Sequence, residues 1–309
     1  MDESGTIKKK RIFAKKFSMK NRNILPFNWR EESEIVNGNS IDNDIILLDK
    51  PFIGSAFEYP FKVDVTAIIV CINGSAEGTI NLKPYSISES SVIIVLPGQI
   101  MEHKRISDDF TGLFLILSPA FTDSLIPSVS DRLPLMLSVR DNPVINLDTE
   151  ALAGIMEYFN LLKKVIMVKE HPYRLETARY LTLALFFGGG IFLHNVPESK
   201  KMTHRETIVD KFLRLVQKHY KEERGLEFYA NKLCITTGYL SKVVKETSRK
   251  PANDWIDEHI ALEAKALMKS TNLSIDQISE ELNFPSQSFF GKYFKRVTGM
   301  SPSEYKKMR

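Results

Sequence analysis

Two short stretches of the chain carry a pair of lysines at the same spacing within matching apolar patterns. Tyr239-Leu240-Ser241-Lys242-Val243-Val244-Lys245 recurs 50 residues later as Phe289-Phe290-Gly291-Lys292-Tyr293-Phe294-Lys295, and Trp255 and Tyr305 match at the same offset. Wound as helices, both stretches put their apolar residues (Leu240, Val243, Val244; Phe290, Tyr293, Phe294) on one side. The opposite stripe is small, polar or basic: Gly238, Ser241, Lys242 and Lys245 in the first, Ser288, Gly291, Lys292 and Lys295 in the second. A helix that docks by an apolar back and keeps a low front can approach base edges in a major groove. In that use Lys242 and Lys292 donate to guanine or phosphate, Gln287 pairs bidentately with adenine, and Ser241 and Ser288 bond to either type of base. Gly238 and Gly291 permit close approach, and Thr237, Lys245, Ser286, Lys295 and Arg296 are placed for phosphate. One solvated helix face would show as much; repetition of the whole pattern argues for a duplicated reading element.

Other chemistries find few residues. The β-like part of the chain holds one histidine, His103, beside Glu102, whereas His171, His194, His204, His219 and His259 are scattered through later segments, so no metal ligand set is expected. No phosphate-binding G-x-x-x-x-G-K-[ST], no G-x-S-x-G and no G-x-G-x-x-G occurs, which removes the usual candidates for nucleotide hydrolysis and acyl transfer. Cys71 and Cys234 are far apart and build no disulfide framework, which fits a reducing cytoplasmic setting. The expectation is a protein that is not an enzyme and needs no cofactor.

The elements that must hold the two stripes are legible from periodicity. Each stripe follows a short helix, around Phe228–Leu233 and Ile275–Leu282, and a turn, which is the helix-turn-helix plan written twice. Ser274-Ile275-Asp276-Gln277 and Ser301-Pro302-Ser303-Glu304 read as capping boxes, the second with proline at the first helical position. Trp255–Ser270 reads as the long helix between the copies, and Ile208, Phe212, Leu215 and Val216 as the face of an earlier one. Upstream, Ile45–Leu48, Val63–Ile72, Thr79–Leu82, Ser91–Leu96 and Gly112–Leu117 are short β-branched runs broken by Asn73-Gly74-Ser75, Pro84 and Pro97-Gly98. They suggest a sandwich or small barrel. After Leu147 the period turns helical through Leu152, Ile155, Phe159, Leu162 and Ile166, then again from Leu175 to Phe187, with Gly188-Gly189-Gly190 expected to interrupt or loosen the second helix.

The charge is uneven. Residues 1–22 hold 8 basic and 2 acidic groups, residues 23–204 hold 15 and 22, and residues 205–309 hold 19 and 14, within a chain of 309 residues and net charge +4. An acidic body joined to basic ends suggests a polyanion-binding module attached to a domain with another task. No run reaches the length of a membrane span and none looks like an export signal. The expected organisation is a basic flexible leader at 1–26, a β-rich domain at 27–147, a helical packing or dimerisation segment at 148–195, a linker at 196–204 and a helical domain at 205–309.

Residues 205–309 resemble the DNA-binding domain of the AraC/XylS family of bacterial transcription regulators. The resemblance rests on Ile275-x-x-Ile278-Ser279, Asn283-Phe284-x-Ser286-x-Ser288-Phe289-Phe290-x-Lys292-x-Phe294-Lys295-Arg296 and Gly299-x-Ser301-Pro302-x-x-Tyr305, and in the first half on Ala230, Tyr239-Leu240-Ser241-Lys242 and Ala264-Lys265-x-Leu267. Three positions depart from the family pattern: Asn283 replaces a glycine in the second turn, Arg249 a glycine after the first recognition helix, and Ile260 a frequent arginine in the long helix. Asparagine tolerates a left-handed turn. The resemblance implies a multidomain α+β protein: an N-terminal cupin-like β-barrel or sandwich that senses a small-molecule effector, trailing helices that form a homodimer, and a C-terminal pair of helix-turn-helix units reading double-stranded DNA. It allows RNA polymerase as a further partner, transcription activation as the output, and no membrane. The alternatives are a cupin-type enzyme or metal-binding protein with a DNA-tethering tail, and an RNA-binding or protein-interaction module.

Overall fold

The computed structural model describes residues 39–42, 44–49, 60–125, 129–193 and 204–308. The basic leader and the stretch 196–203 lie outside them. The described residues form two compact units, one built mainly of strands with four helices and one wholly helical.

The first unit contains β1 (Asn39–Ile41), β2 (Ile45–Leu48), β3 (Phe61–Lys62), β4 (Thr66–Asn73), β5 (Ser75–Ile80), β6 (Lys83–Ser88), β7 (Ser91–Val95), β8 (Ile100–Ile106), β9 (Thr111–Leu117) and β10 (Val144–Asn146). They make two sheets, ordered β1-β2-β9-β4-β7-β10 and β3-β8-β5-β6. The helices are α1 (Pro119–Leu125), α2 (Val129–Asp141), α3 (Thr149–Met167) and α4 (Arg174–Leu193).

Alternation along the strands shows why the six-stranded sheet reads as unbroken apolar runs. Ile45, Leu47, Ile68, Val70, Val92, Leu115 and Leu117 join one core with Ala151, Ile155, Phe159, Leu162 and Ile166 of α3. Their neighbours Ile46, Leu48, Ile93, Val95, Phe114 and Ile116 are also buried, on the opposite face. A sheet covered on both sides needs no polar alternate.

The second sheet departs from the sequence expectation in three places. The run at Thr79–Leu82 is not one strand: Ile80 pairs with Lys83 across Asn81-Leu82, both at positive φ, so a two-residue hairpin turn joins β5 to β6. Pro84 does not break a strand but pairs with Thr79 in β6, the sheet's edge, where a missing N–H costs no ladder bond. β8 was not expected, because Glu102, His103, Lys104 and Arg105 interrupt any apolar pattern, and its pairing with β5 makes it a strand. At the register shift in that pair a Cβ on Gly78 would lie 2.1 Å from the Glu102 carbonyl, so the close approach requires glycine.

A hydrogen bond of 2.9 Å joins the Tyr85 hydroxyl to His103 Nδ1 across this sheet. Burial pulls the His103 imidazole down from its usual range to about 4. The sign follows: the unfolded chain takes up the proton near 6.5 and the folded chain does not, so stability falls as pH drops from 6.5 toward 4. We expect about 2 kcal/mol to be lost between pH 6.5 and 5 through this group. Urea unfolding of the chain and of His103→Gln at both pH values measures it. An equal pH dependence in the two proteins would contradict the assignment.

The Gly188-Gly189-Gly190 run does not interrupt α4, which continues to Leu193. A Cβ at Gly188 would sit 2.9 Å from the Tyr158 hydroxyl, so that glycine serves close packing of α4 on α3.

The helical unit comprises α5 (His204–His219), α6 (Leu226–Lys232), α7 (Thr237–Ser248), α8 (Ala252–Ser270), α9 (Ile275–Glu281), α10 (Gln287–Thr298) and α11 (Pro302–Lys307). Its core joins Val209, Phe212 and Val216 of α5, Leu240, Val243 and Val244 of α7, Phe290 and Phe294 of α10, and one face of α8 including Ile256, Ile260, Ala264 and Leu267. Ile260, which replaces a frequent arginine, is therefore a core residue.

Candidate nucleic-acid interface

The two helix-turn-helix units, α6–α7 and α9–α10, are built by the same backbone bonds. Ile235 N–H donates to the Ala230 carbonyl as Phe284 N–H does to Ser279, and Cys234 N–H donates to Asn231 as Asn283 N–H does to Glu280. Cys234 and Asn283 both take φ 55, so the left-handed turn expected at Asn283 is present in both copies. The second turn is one residue longer, through Pro285.

Each recognition helix starts from a side-chain cap. Thr236 Oγ1 accepts from Tyr239 N–H at 3.2 Å and Ser286 Oγ from Phe289 N–H at 3.3 Å. Thr236, not the sequence-selected Thr237, is thus the counterpart of Ser286. The threonine one residue later lies in the first turn, exposed. Both predicted capping boxes form, Ser274 with Gln277 and Ser301 with Glu304. α7 ends on Arg249 at φ 58 and α10 on Gly299 at φ 83. A side chain in that conformation costs energy that glycine avoids, so Arg249→Gly should stabilise the unit by about 0.5–1 kcal/mol. Thermal or denaturant unfolding would read this, and a loss of stability would contradict the strain.

Gly238, Ser241, Lys242 and Lys245 are exposed on α7, as are Gln287, Ser288, Lys292, Lys295 and Arg296 on α10, while Gly291 is half-buried. Nothing lies within 4 Å of where a Cβ on Gly238 or Gly291 would sit, so both leave open space on the outer face. The charges differ between faces. Around the domain, Arg205 pairs with Glu246 at 2.7 Å, Arg214 with Asp210 at 3.1 Å, and Lys221 with buried Glu263 at 3.0 Å. Among the described residues Lys242, Lys245, Lys292 and Lys295 form no ion pair. Four cations outside any ion pair, on two small-residue stripes, can accept a polyanion without first breaking a salt bridge.

Arg296 differs from those lysines. Asp257 on α8 accepts from Arg296 Nη1 and Nη2 at 3.0 and 3.2 Å and from the Tyr293 hydroxyl, and the guanidinium lies over the Tyr293 ring. Its charge is matched already, and the arrangement ties α10 to the long helix. Arg224 similarly stacks on Phe284, 3.8 Å from the ring centre, and donates to the Leu282 carbonyl, fixing the second turn against the loop after α5. Sequence reasoning missed Asp257 and Arg224, since both act through contacts across the fold, and it selected Thr237, one residue beyond the cap at Thr236.

Residues 229–308 match the family described as a helix-turn-helix domain. They are an AraC-type helix-turn-helix domain. Similar curated proteins are the uncharacterised transcriptional regulator YisR of Bacillus subtilis, 28% identical over 34% of this chain and 36% of that protein, and the transcriptional activator RhaR of Escherichia coli O139:H28, 24% identical over 47% and 53%. The chain thus spans about a third to a half of the length of these relatives. Among solved structures, ToxT of Vibrio cholerae is 19% identical over 86% of this chain and 97% of that one, with a TM-score of 0.41. That superposition is loose, and the assignment rests on the sequence match.

Proposed function

We propose that the chain is an AraC-type transcription regulator whose α7 and α10 read duplex DNA from adjacent major-groove faces. The observation that carries this reading is the pair of identically capped helices with outward stripes of small residues and unpaired lysines. Gly238, Ser241, Lys242, Gln287, Ser288, Gly291 and Lys292 then meet base edges, and Thr237, Lys245, Ser286 and Lys295 meet phosphates. Arg296 acts mainly by positioning α10. The curated relatives are named as regulators, and the reading needs no covalent step.

The β-rich unit is then the sensing part for a small-molecule effector, with the family resemblance as its support. Leu161, Tyr180 and Phe187 are exposed on α3 and α4, which suits a homodimer through these helices, and RNA polymerase is a further partner if the output is activation. Among the described residues no helix is long and apolar enough to cross a membrane, in keeping with work on DNA in the cytoplasm. The alternative of a cupin-type enzyme with a tethering tail is not favoured, because the curated relatives are named as transcription regulators.

Genome-wide DNA capture by the full chain, followed by titration of the captured site across salt concentrations, tests the reading. One enriched motif is the expected result, and purely salt-dependent binding without enrichment contradicts it. On that site Lys295→Ala should reduce the slope of log affinity against log salt by about one. Arg296→Ala should reduce it by less, because Asp257 already holds that charge. Equal slope changes would mean that Arg296 leaves Asp257 for phosphate.

A further inference from the structure

The recognition helices share a feature that neither their core nor their basic stripe uses. Tyr239 and Phe289 occupy the same place, the third residue of α7 and of α10, each with its N–H held by the cap. The next residue in each case, Leu240 or Phe290, is fully buried, which fixes the helix rotation. Both rings are left outside: Phe289 is 63% exposed and Tyr239 38% exposed. They stand three residues before Lys292 and Lys242, on the edge of the stripe with the unpaired cations.

An aromatic ring in water loses the burial that would stabilise it, and here the exposure recurs at matched positions beside positive charge. The first turn of a recognition helix is the part that meets base edges. A major groove offers one apolar group there, the 5-methyl of thymine. We infer that Phe289 and Tyr239 are specificity-determining residues that pack on thymine 5-methyl groups, one in each half of the DNA site. This inference rests on the DNA-reading role proposed for α7 and α10. It adds an apolar contact to the hydrogen-bonding residues and requires a thymine in each half-site. The lysine on the same edge sets the ring's approach by holding the neighbouring phosphate or guanine.

The test uses the full chain and the DNA site obtained by genomic capture, with each thymine replaced in turn by deoxyuridine, which pairs identically and lacks only the methyl group. The expected result is one position in each half where uridine weakens binding about fourfold, the worth of one buried methyl. Phe289→Ala should abolish the effect in one half and leave the other intact, Tyr239→Ala should do the converse, and Phe289→Leu should retain much of it. Both rings are on the surface, so the variants fold, and unchanged unfolding midpoints verify this. Tight sequence-specific binding with no uridine effect, or with the same effect in Phe289→Ala, overturns the inference and leaves the DNA reading standing. A Phe289→Ala variant that binds normally and fails only in transcription also overturns it, assigning the ring to a protein partner. Absence of sequence-specific binding overturns both.

Discussion

Phe290→Ala should destabilise the helical unit by about 3–5 kcal/mol, the cost of removing a large side chain from a site that cannot collapse around the void. Phe290 is fully buried, with its ring centre 5.2 Å from Phe284 and 5.7 Å from Phe294, and Phe284 in turn carries the Arg224 guanidinium. Losing it removes the support beneath α10 and beneath the turn before it. The adjacent substitution is the control: Phe289→Ala removes an equally large ring from the surface and should change stability by no more than about 0.5 kcal/mol. Denaturant unfolding of the two variants measures the contrast. Similar losses for both would mean that the rotation of α10 about its axis differs from the one described.

The second large effect is on binding. Lys242→Ala and Lys292→Ala should each cost about 1–3 kcal/mol on the specific site, and together about 2–6 kcal/mol, because they sit on separate helices and share no partner. Neither lysine is in an ion pair, so truncation leaves no orphaned acid and the loss reports the contact itself. Titrations against the captured site and a scrambled duplex separate the parts: discrimination falls with each substitution, whereas general binding weakens only modestly. A double variant that still discriminates fully would remove these lysines from the groove.

How far the sequence carried this account depends on how local each signal is. The capping boxes at Ser274 and Ser301, the left-handed turn at Asn283 and the two apolar helix backs are set by residues within one or two turns of each other. They were legible for that reason. β8 was not, since Glu102 through Arg105 break its pattern and only its pairing with β5 and β3 defines it. Pro84 and Gly188 misled for a related reason: a breaker is tolerated at a sheet edge, or accommodated where helices pack closely, and neither circumstance is visible locally. In the interface the basic stripe was legible from repetition, but the neutralisation of Arg296 was not, because Asp257 lies 39 residues away on another helix. Nor was the exposure of Phe289. Two adjacent phenylalanines look alike in sequence, and the packing of the domain decides which one is core.

Two helices of one domain reading DNA side by side should leave two separate marks on the duplex. Hydroxyl-radical footprinting of the full chain on its captured site should show two protected patches on one face, about one helical turn apart, with Lys242→Ala weakening one and Lys292→Ala the other. A single patch, or protection lost everywhere at once from either substitution, would contradict it.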